Sequence, residues 1–278
     1  MYNFADRHIG INSLDKTTML EYVGLNSIEQ LISETIPENI RLKKEMNLKP
    51  ALSENEYLSH IEKLGKKNKI YKSYIGLGYN QAIVPSVIKR NILENPSWYT
   101  AYTPYQAEIA QGRMEALLNY QTIICDLTGM QLANASLLDE STAAAEAMTM
   151  LFSLRNREQK KNNVCNFFVS KNTLPQTISL LETRAEPLGI QIQIGDFEQF
   201  NYDSSFYACL MQYPGVHGDI EDIKKYCSHA KNNNIKIVVA ADLFSLCLLK
   251  KPSVFEADVV VGTSQRFGIP LGYGGPHA

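Results

Sequence analysis

The fold is indicated most clearly by residues 206–242, which read FYACLMQYPGVHGDIEDIKKYCSHAKNNNIKIVVAAD. The two ends of this stretch, 206–213 and 235–242, are short apolar runs rich in aromatic and β-branched residues, which is typical of buried strands. The segment between them, 219–234, is polar with apolar residues at helical spacing. A strand, a helix and a second strand in this order predict two parallel neighbouring strands joined by a crossover helix.

The same alternation extends on both sides of this unit. Further strand-like runs occupy 166–170, 190–195 and 257–262, and helix-like segments occupy 142–159 and 174–189. The pattern predicts an α/β fold with a mainly parallel sheet that is covered by helices on both faces. In such sheets the functional site lies past the carboxyl ends of the strands.

The first part of the chain is different, since its signals are those of helix starts. Ser27 with Gln30, and Ser53 with Glu56, have the spacing of capping boxes, in which each side chain can satisfy an exposed backbone N–H. We therefore expect an N-terminal helical segment at 1–75. We expect the α/β domain to occupy 76–278.

Composition excludes several classes of protein. The 278 residues are 45% hydrophobic and 20% charged, which is ordinary for a globular chain and argues against disorder and membrane insertion. The formal net charge is −2 and the basic residues are scattered, which argues against nucleic acid as a partner. The five cysteines form no CxxC pair and no metal-ligand spacing, so they predict reduced thiols, no metal site and a cytoplasmic location. The first residues contain neither a signal peptide nor a transit peptide pattern.

Polar residues at the predicted carboxyl ends of the strands are candidates for chemistry. Asp242 could hold a cationic ring nitrogen, or it could simply cap a turn. His217 is better explained as a polar loop residue than as a catalyst. The stretch 137–148 places polar residues before a helix of small residues. This is either simple helix capping or a backbone N–H cluster that suits an anion, although Asp139 and Glu140 would repel a phosphate.

The stretch WYTAYTPYQAEIAQGRMEALLNYQT (98–122) is the densest local signal. Thr103 as N-cap, Pro104 as the first helical residue and Gln106 two positions later predict a helix start. This does not explain the aromatic residues that crowd the same place, which are Trp98, Tyr99, Tyr102 and Tyr105. They either anchor an interface or line a pocket.

Several blocks of the sequence together resemble one known family. The blocks are RHIG (7–10), YTPYQAEIAQGR (102–113), LLNYQT (117–122), ASLLDESTAAAEAM (135–148), TRAEPLGI (183–190), QYPGVHG (212–218), AADL (240–243) and QRFGIPLGYGGPHA (265–278). They closely resemble the amino-terminal half of glycine dehydrogenase (decarboxylating), the P-protein of the glycine cleavage system. The resemblance implies the large domain of a type I pyridoxal-phosphate-dependent transferase. It also implies an oxidoreductase, glycine dehydrogenase (aminomethyl-transferring), which decarboxylates glycine and passes its aminomethyl group to the lipoyl arm of H-protein.

In that family the carboxy-terminal half, or a separate subunit, carries the lysine that binds pyridoxal 5'-phosphate covalently. The resemblance aligns Gln265 with that lysine, and an amide has no nucleophilic amine. Asp242 aligns with the residue that pairs with the pyridinium nitrogen, so it is expected to be a vestige, together with Ser141 and Thr142 at the former cofactor site. The family pattern has histidine where this chain has Leu174, which argues further against a cofactor in this half.

The resemblance thus implies that this chain contains no catalytic residue of its own. It would act with a lysine-bearing half that holds the cofactor, and with lipoylated H-protein and glycine. Tyr102, Thr103, Tyr105 and Gln106 are expected to form one wall of that site as positioning and hydrogen-bonding groups. Two alternatives remain, a complete and independent pyridoxal-phosphate transferase, which Gln265 disfavours, and a noncatalytic scaffold derived from the family.

The last residues, GYGGPHA (272–278), lead in the resembling fold into an antiparallel strand and then a smaller carboxy-terminal domain. We therefore expect the 278 residues to be a fragment or a truncated product. Unpaired strand edges would then make the isolated chain poorly soluble or partly unfolded, and inactive even with its partner half.

Overall fold

A computed structural model describes residues 4–271. The chain divides into two compact units, Met1–Lys72 and Ser73–Ala278. The boundary expected from the sequence lies after residue 75. The stretch GYGGPHA falls outside the described residues.

The first unit is helical. Its helices are α1 Phe4–His8, α2 Ser13–Tyr22, α3 Ile28–Thr35 and α4 Glu54–Gly65, with a 3-10 turn at Glu38–Ile40.

The two predicted capping boxes differ in the structure. At α4, Ser53 and Glu56 each accept a hydrogen bond from the other's backbone N–H, so that box is confirmed. At α3, the Ser27 hydroxyl accepts from the Gln30 N–H at 3.1 Å, but the Gln30 Oε1 accepts from Asn26 N–H at 3.0 Å. The box predicted there is therefore only half correct, because Gln30 reaches one residue further back.

The second unit is an α/β structure. Its helices are α5 Ser86–Leu93, α6 Ala107–Thr128, α7 Glu140–Ser153, α8 Arg157–Lys161, α9 Pro175–Ala185 and α10 Ile223–Asn232. Its strands are β1 Asn166–Ser170, β2 Gln191–Gly195, β3 Phe206–Tyr213, β4 Lys236–Ala241 and β5 Val259–Val261.

The five strands form one sheet in the order β2-β1-β3-β4-β5, and every neighbouring pair is parallel. β3 is buried along its whole length, as its continuous apolar run predicts. The predicted α/β fold with a parallel sheet is confirmed. Because all carboxyl ends meet at one edge, the loops that follow β3, β4 and β5 come together there.

Helices cover the sheet on both sides. On one face α7 and α9 pack their small and apolar residues, such as Ala144, Met148 and Leu181, onto the strands. On the other face Phe168 of β1 packs with Tyr226 of α10. Burial of apolar area at roughly 25 cal/mol per Å² makes these two layers the main source of stability.

One glycine fixes the end of β5 against β4. A Cβ on Gly262 would lie 2.3 Å from the Ala241 carbonyl oxygen, so any side chain at this position would push the two segments apart. The close approach brings the residues after β5 next to the residues after β4.

The predicted start of α6 is wrong. The helix begins at Ala107, and Gln106 occupies the N-cap position with an extended backbone. Two local bonds explain the difference, since the Tyr105 N–H donates to the Thr103 carbonyl at 2.8 Å and the Gln106 Oε1 accepts from the Tyr102 hydroxyl at 3.2 Å. The Gln106 side chain is thus unavailable to complete a cap around Thr103.

None of the helices in residues 4–271 is long and apolar enough to cross a membrane.

Candidate functional site

A cavity of about 240 Å³ lies at the carboxyl edge of the sheet. Gln212 at the end of β3, Asp242 after β4, and Arg266 after β5 contribute to its lining. Glu140, the first residue of α7, lines it as well. The cavity is therefore where the parallel α/β fold is expected to hold a ligand.

A tight turn lies over one side of the cavity. Gly76, Leu77 and Gly78 all have positive φ, between 55° and 81°. Gly78 packs on Leu174, because a Cβ at Gly78 would lie 2.9 Å from the Leu174 Cδ1. Leu174 is buried beneath the turn, so in this chain an aliphatic side chain occupies the place where the resembling family has histidine.

Gln265 is fully buried beside the cavity. Its amide nitrogen donates to the Asn80 carbonyl at 3.0 Å and to the Ile269 carbonyl at 2.8 Å. The side chain thus connects the segment after the tight turn to the segment after β5. It acts as a structural crosslink and offers no nucleophile.

Asp242 already has two partners. Its Oδ2 forms an ion pair with the Arg266 guanidinium at 3.0 Å, and its Oδ1 accepts from the Phe244 N–H at 3.1 Å. The Arg266 guanidinium also lies over the Phe244 ring, 4.8 Å from its centroid. The carboxylate caps the turn after β4 and neutralises an arginine. Both of its oxygens are therefore already used, and a pyridinium nitrogen would have to compete for them.

The most perturbed carboxyl in the cavity belongs to Glu140. Burial raises its pKa from the ordinary 4.5 to about 7, the hydrogen bond from Gln212 opposes that rise, and the charges of Asp242 and Asp139 add to it. The Gln212 amide nitrogen donates to the Glu140 Oε1 at 3.1 Å. The Gln212 Oε1 is buried and has no hydrogen-bond partner among residues 4–271.

The N-terminus of α7 is closed by its own side chains. The Asp139 Oδ1 accepts from the Thr142 N–H at 2.6 Å, and the Ser141 hydroxyl is hydrogen-bonded to the Thr177 hydroxyl at 2.9 Å. The capping interpretation of Asp139 is therefore confirmed. A phosphate at this helix end would have to displace a carboxylate and would meet the buried Glu140.

These residues do not fit pyridoxal 5'-phosphate. A phosphate would face two carboxyl groups at the start of α7, the ring nitrogen would compete with Arg266 for Asp242, and the lysine position holds a buried amide.

The aromatic segment, residues 98–106, has a different character. Tyr102 is 40% exposed and Tyr105 is 88% exposed. The backbone around Tyr102 is held by Arg113, whose guanidinium donates to the Tyr102 carbonyl at 2.7 Å. Thr103 and Gln106 are also exposed, so the four residues form one polar and aromatic surface on the second unit.

The structure brings together only some of the residues proposed from the sequence. Among the described residues, Asp242 and Glu140 line the cavity, whereas the aromatic segment does not, and His217 is exposed beside it. Sequence reasoning missed Gln212, which forms part of an apolar run and contacts a residue 72 positions earlier. Its one signal was a polar side chain near the carboxyl end of a buried strand.

Within the described part of the chain, no group of three or more His, Cys, Asp or Glu side chains could hold a metal ion.

Comparison with known proteins gives a consistent family. The family described as "Glycine cleavage system P-protein" matches residues 6–278. The chain is 61% identical over 276 residues to glycine dehydrogenase (decarboxylating) of Christiangramia forsetii and 58% identical over 275 residues to that of Flavobacterium johnsoniae. In both cases 99% of this chain is covered, but only 29% of the relative.

A solved structure agrees with the sequence matches. The crystal structure of a glycine decarboxylase (P-protein) of the glycine cleavage system, in inhibitor-bound form, superposes with a TM-score of 0.84 at 30% identity. The match covers 96% of this chain and 60% of that one. The chain thus spans less than a third of the length of its two curated relatives.

Proposed function

The chain belongs to the glycine cleavage system P-protein family, and we propose that it is the amino-terminal, lysine-lacking half of a glycine dehydrogenase (decarboxylating). Together with a lysine-bearing half it would decarboxylate glycine and pass the aminomethyl group to the lipoyl arm of H-protein. Pyridoxal 5'-phosphate, bound in the lysine-bearing half, would supply the electron sink for that chemistry. Cysteines without disulfides support a cytoplasmic location.

One observation carries the proposal. Gln265 stands where the family resemblance aligns the cofactor lysine, and its amide is buried and bonded to two backbone carbonyls. Replacing that crosslink with a lysine would put an ammonium or amine into a space already filled. The lysine that binds the cofactor covalently therefore has to come from another polypeptide segment.

The contribution of this chain would come from the aromatic segment. Large exposed aromatic side chains beside polar groups are typical of surfaces that meet a partner. We propose that Tyr102, Thr103, Tyr105 and Gln106 complete the wall of the partner's site, where hydroxyl and amide groups orient the substrate and exclude water. The hydrogen bond from Tyr102 to Gln106 and the anchor from Arg113 would hold this wall in place before the halves meet.

The test is reconstitution. The chain, extended at its carboxyl end to the length of a relative's amino-terminal half, is coexpressed with the lysine-bearing half of that relative, and glycine-dependent exchange of labelled CO₂ is measured with lipoylated H-protein present. We expect exchange only when both halves are present. Stable binding of the halves without exchange would favour the scaffold alternative instead.

A matched control separates assembly from activity. The Tyr102→Ala, Tyr105→Ala double variant should still form the complex, as judged by size-exclusion chromatography, while exchange falls. Loss of the complex itself would show that the segment acts in assembly and not in the site.

A further inference from the structure

The cavity has an excess of hydrogen-bond acceptors. Of the described residues that line it, Glu140 and Asp242 contribute carboxyl groups, and Arg266 contributes the one guanidinium, which is already paired with Asp242. With Glu140 ionised, these three groups sum to one net negative charge. A buried negative charge requires a cation or a proton to balance it.

A second observation points to the same ligand chemistry. Gln212 is 7% exposed and lines the cavity, its amide nitrogen is committed to Glu140, and its Oε1 has no partner. A buried acceptor without a donor costs about 1–3 kcal/mol. The group that would satisfy it must bring N–H or O–H donors and be able to contact Glu140 at the same time.

Size limits the choice of ligand. A volume of about 240 Å³ is larger than one water molecule needs and smaller than the pockets that hold drug-sized molecules. A single water could donate to Gln212 but would not balance the charge. A group with several N–H donors and a positive charge satisfies both requirements.

We propose that this cavity binds a small molecule with a primary ammonium group, which donates to the Glu140 carboxylate and to the Gln212 Oε1. Arg266 lines the same cavity, and a guanidinium has donors beyond those used by Asp242, which suit a carboxylate at the other end of the ligand, as in a small amino acid. This site requires neither a lysine nor a cofactor and in that respect differs from the proposed catalytic site. It does not depend on the proposed function.

The affinity of the cavity for an ammonium group should depend on pH. The charged groups that face Glu140 are Asp139 before α7, Asp242 after β4, and Arg266 after β5. The two aspartates and burial favour the protonated carboxyl, and only the ionised form attracts an ammonium group. Affinity should therefore rise as the pH is raised from 6 to 8, as estimated from the position of this titration.

Isothermal titration calorimetry on the 278-residue chain, purified as a soluble and folded species without any partner, tests the proposal. Methylammonium, glycine and acetate are the probes, in an amine-free buffer at constant ionic strength. We expect methylammonium and glycine to bind and acetate not to bind. Tighter binding of glycine than of methylammonium would assign the carboxylate contact to Arg266, and equal binding would assign the ammonium contact alone.

Two variants and a control make the test specific. Glu140→Gln and, independently, Gln212→Met should each weaken binding by about tenfold, in line with the loss of a charge-assisted or buried hydrogen bond. Glu146→Gln, an exposed position on the same helix, should leave it unchanged. Undetectable binding, unchanged affinity in both cavity variants, or displacement by K⁺ as effective as that by methylammonium would overturn the proposal.

Discussion

The cavity at the carboxyl edge of the sheet and the aromatic segment at 98–106 differ in how their polar groups are used. In and beside the cavity most polar side chains have a partner within the chain, as Asp242 does with Arg266 and Gln265 does with two carbonyls. In the aromatic segment the Tyr105 ring is 88% exposed and the polar groups face solvent. Among the described residues most polar groups of the first region are satisfied within the chain, apart from acceptors such as the Oε1 atoms of Gln212 and Gln265, whereas those of the second region face solvent.

The difference indicates which of the two regions has polar groups free to contact another molecule. A parallel α/β fold places a ligand cavity at the carboxyl ends of its strands whether or not the residues for catalysis are present. Here that edge carries crosslinks in the places where a cofactor would need free groups. The proposed wall of the partner's site is the exposed segment, which does not line the cavity in the described residues.

The largest expected effect concerns the crosslink at Gln265. Gln265→Ala removes the donor for two backbone carbonyls and leaves a void at a fully buried position, and we expect the free energy of unfolding to fall by about 2–4 kcal/mol. Gln193→Ala, at an exposed strand position, should change it by less than about 0.5 kcal/mol. Urea unfolding followed by circular dichroism measures both, and equal effects would show that the crosslink does not stabilise the fold.

The next effect is a pH dependence that belongs to the cavity. The folded-state pKa of Glu140 is about 7 against an ordinary 4.5, so between these values the folded state binds the proton that the unfolded state releases. Stability from this group is therefore present below about pH 4.5 and is lost as the pH rises through about 7, with a total near 3 kcal/mol. Glu140→Gln should lack this loss between pH 5 and pH 8, as calculated from the same shift.

Glu146→Gln supplies the comparison for that experiment. It removes an exposed carboxylate from the same helix, so its unfolding free energy should follow the pH dependence of the unmodified chain. If Glu140→Gln and Glu146→Gln have the same profile, Glu140 is not the group that titrates.

A smaller effect is expected in the aromatic segment, and only on turnover. Tyr102→Phe and Tyr105→Phe each remove one hydroxyl, worth ~1 kcal/mol when it is hydrogen-bonded, which corresponds to about a fivefold fall in kcat/KM of the assembled enzyme. Stability should change by less than about 0.5 kcal/mol because both residues are exposed. Tyr22→Phe, another exposed tyrosine in the first unit, serves as control. Normal turnover in both segment variants would remove them from the proposed wall.

Much of the fold could be predicted from the sequence because it depends on local periodicity. The apolar runs 166–170 and 206–213 match β1 and β3 residue for residue. The start of α6 could not be predicted in this way, because the turn at Thr103–Tyr105 and the bond from Tyr102 to Gln106 compete with the cap that the residue types suggest.

The location of the cavity could be predicted from the sequence, but the side-chain contacts inside it could not. The edge of the sheet follows from parallel topology, and Asp242 was visible at the end of a strand. The contacts that decide its chemistry join residues far apart in the chain, 72 positions for Gln212 with Glu140 and 185 for Gln265 with Asn80. Such pairs are set by tertiary packing, so composition and spacing do not indicate them.

We propose that the cavity of this chain does not hold pyridoxal 5'-phosphate. Reductive labelling tests this most directly. The chain is incubated with pyridoxal 5'-phosphate, reduced with borohydride and digested, and labelled peptides are quantified by mass spectrometry. We expect low and scattered labelling of surface lysines with no position labelled stoichiometrically. A single lysine in residues 73–278 labelled to one equivalent would contradict the account.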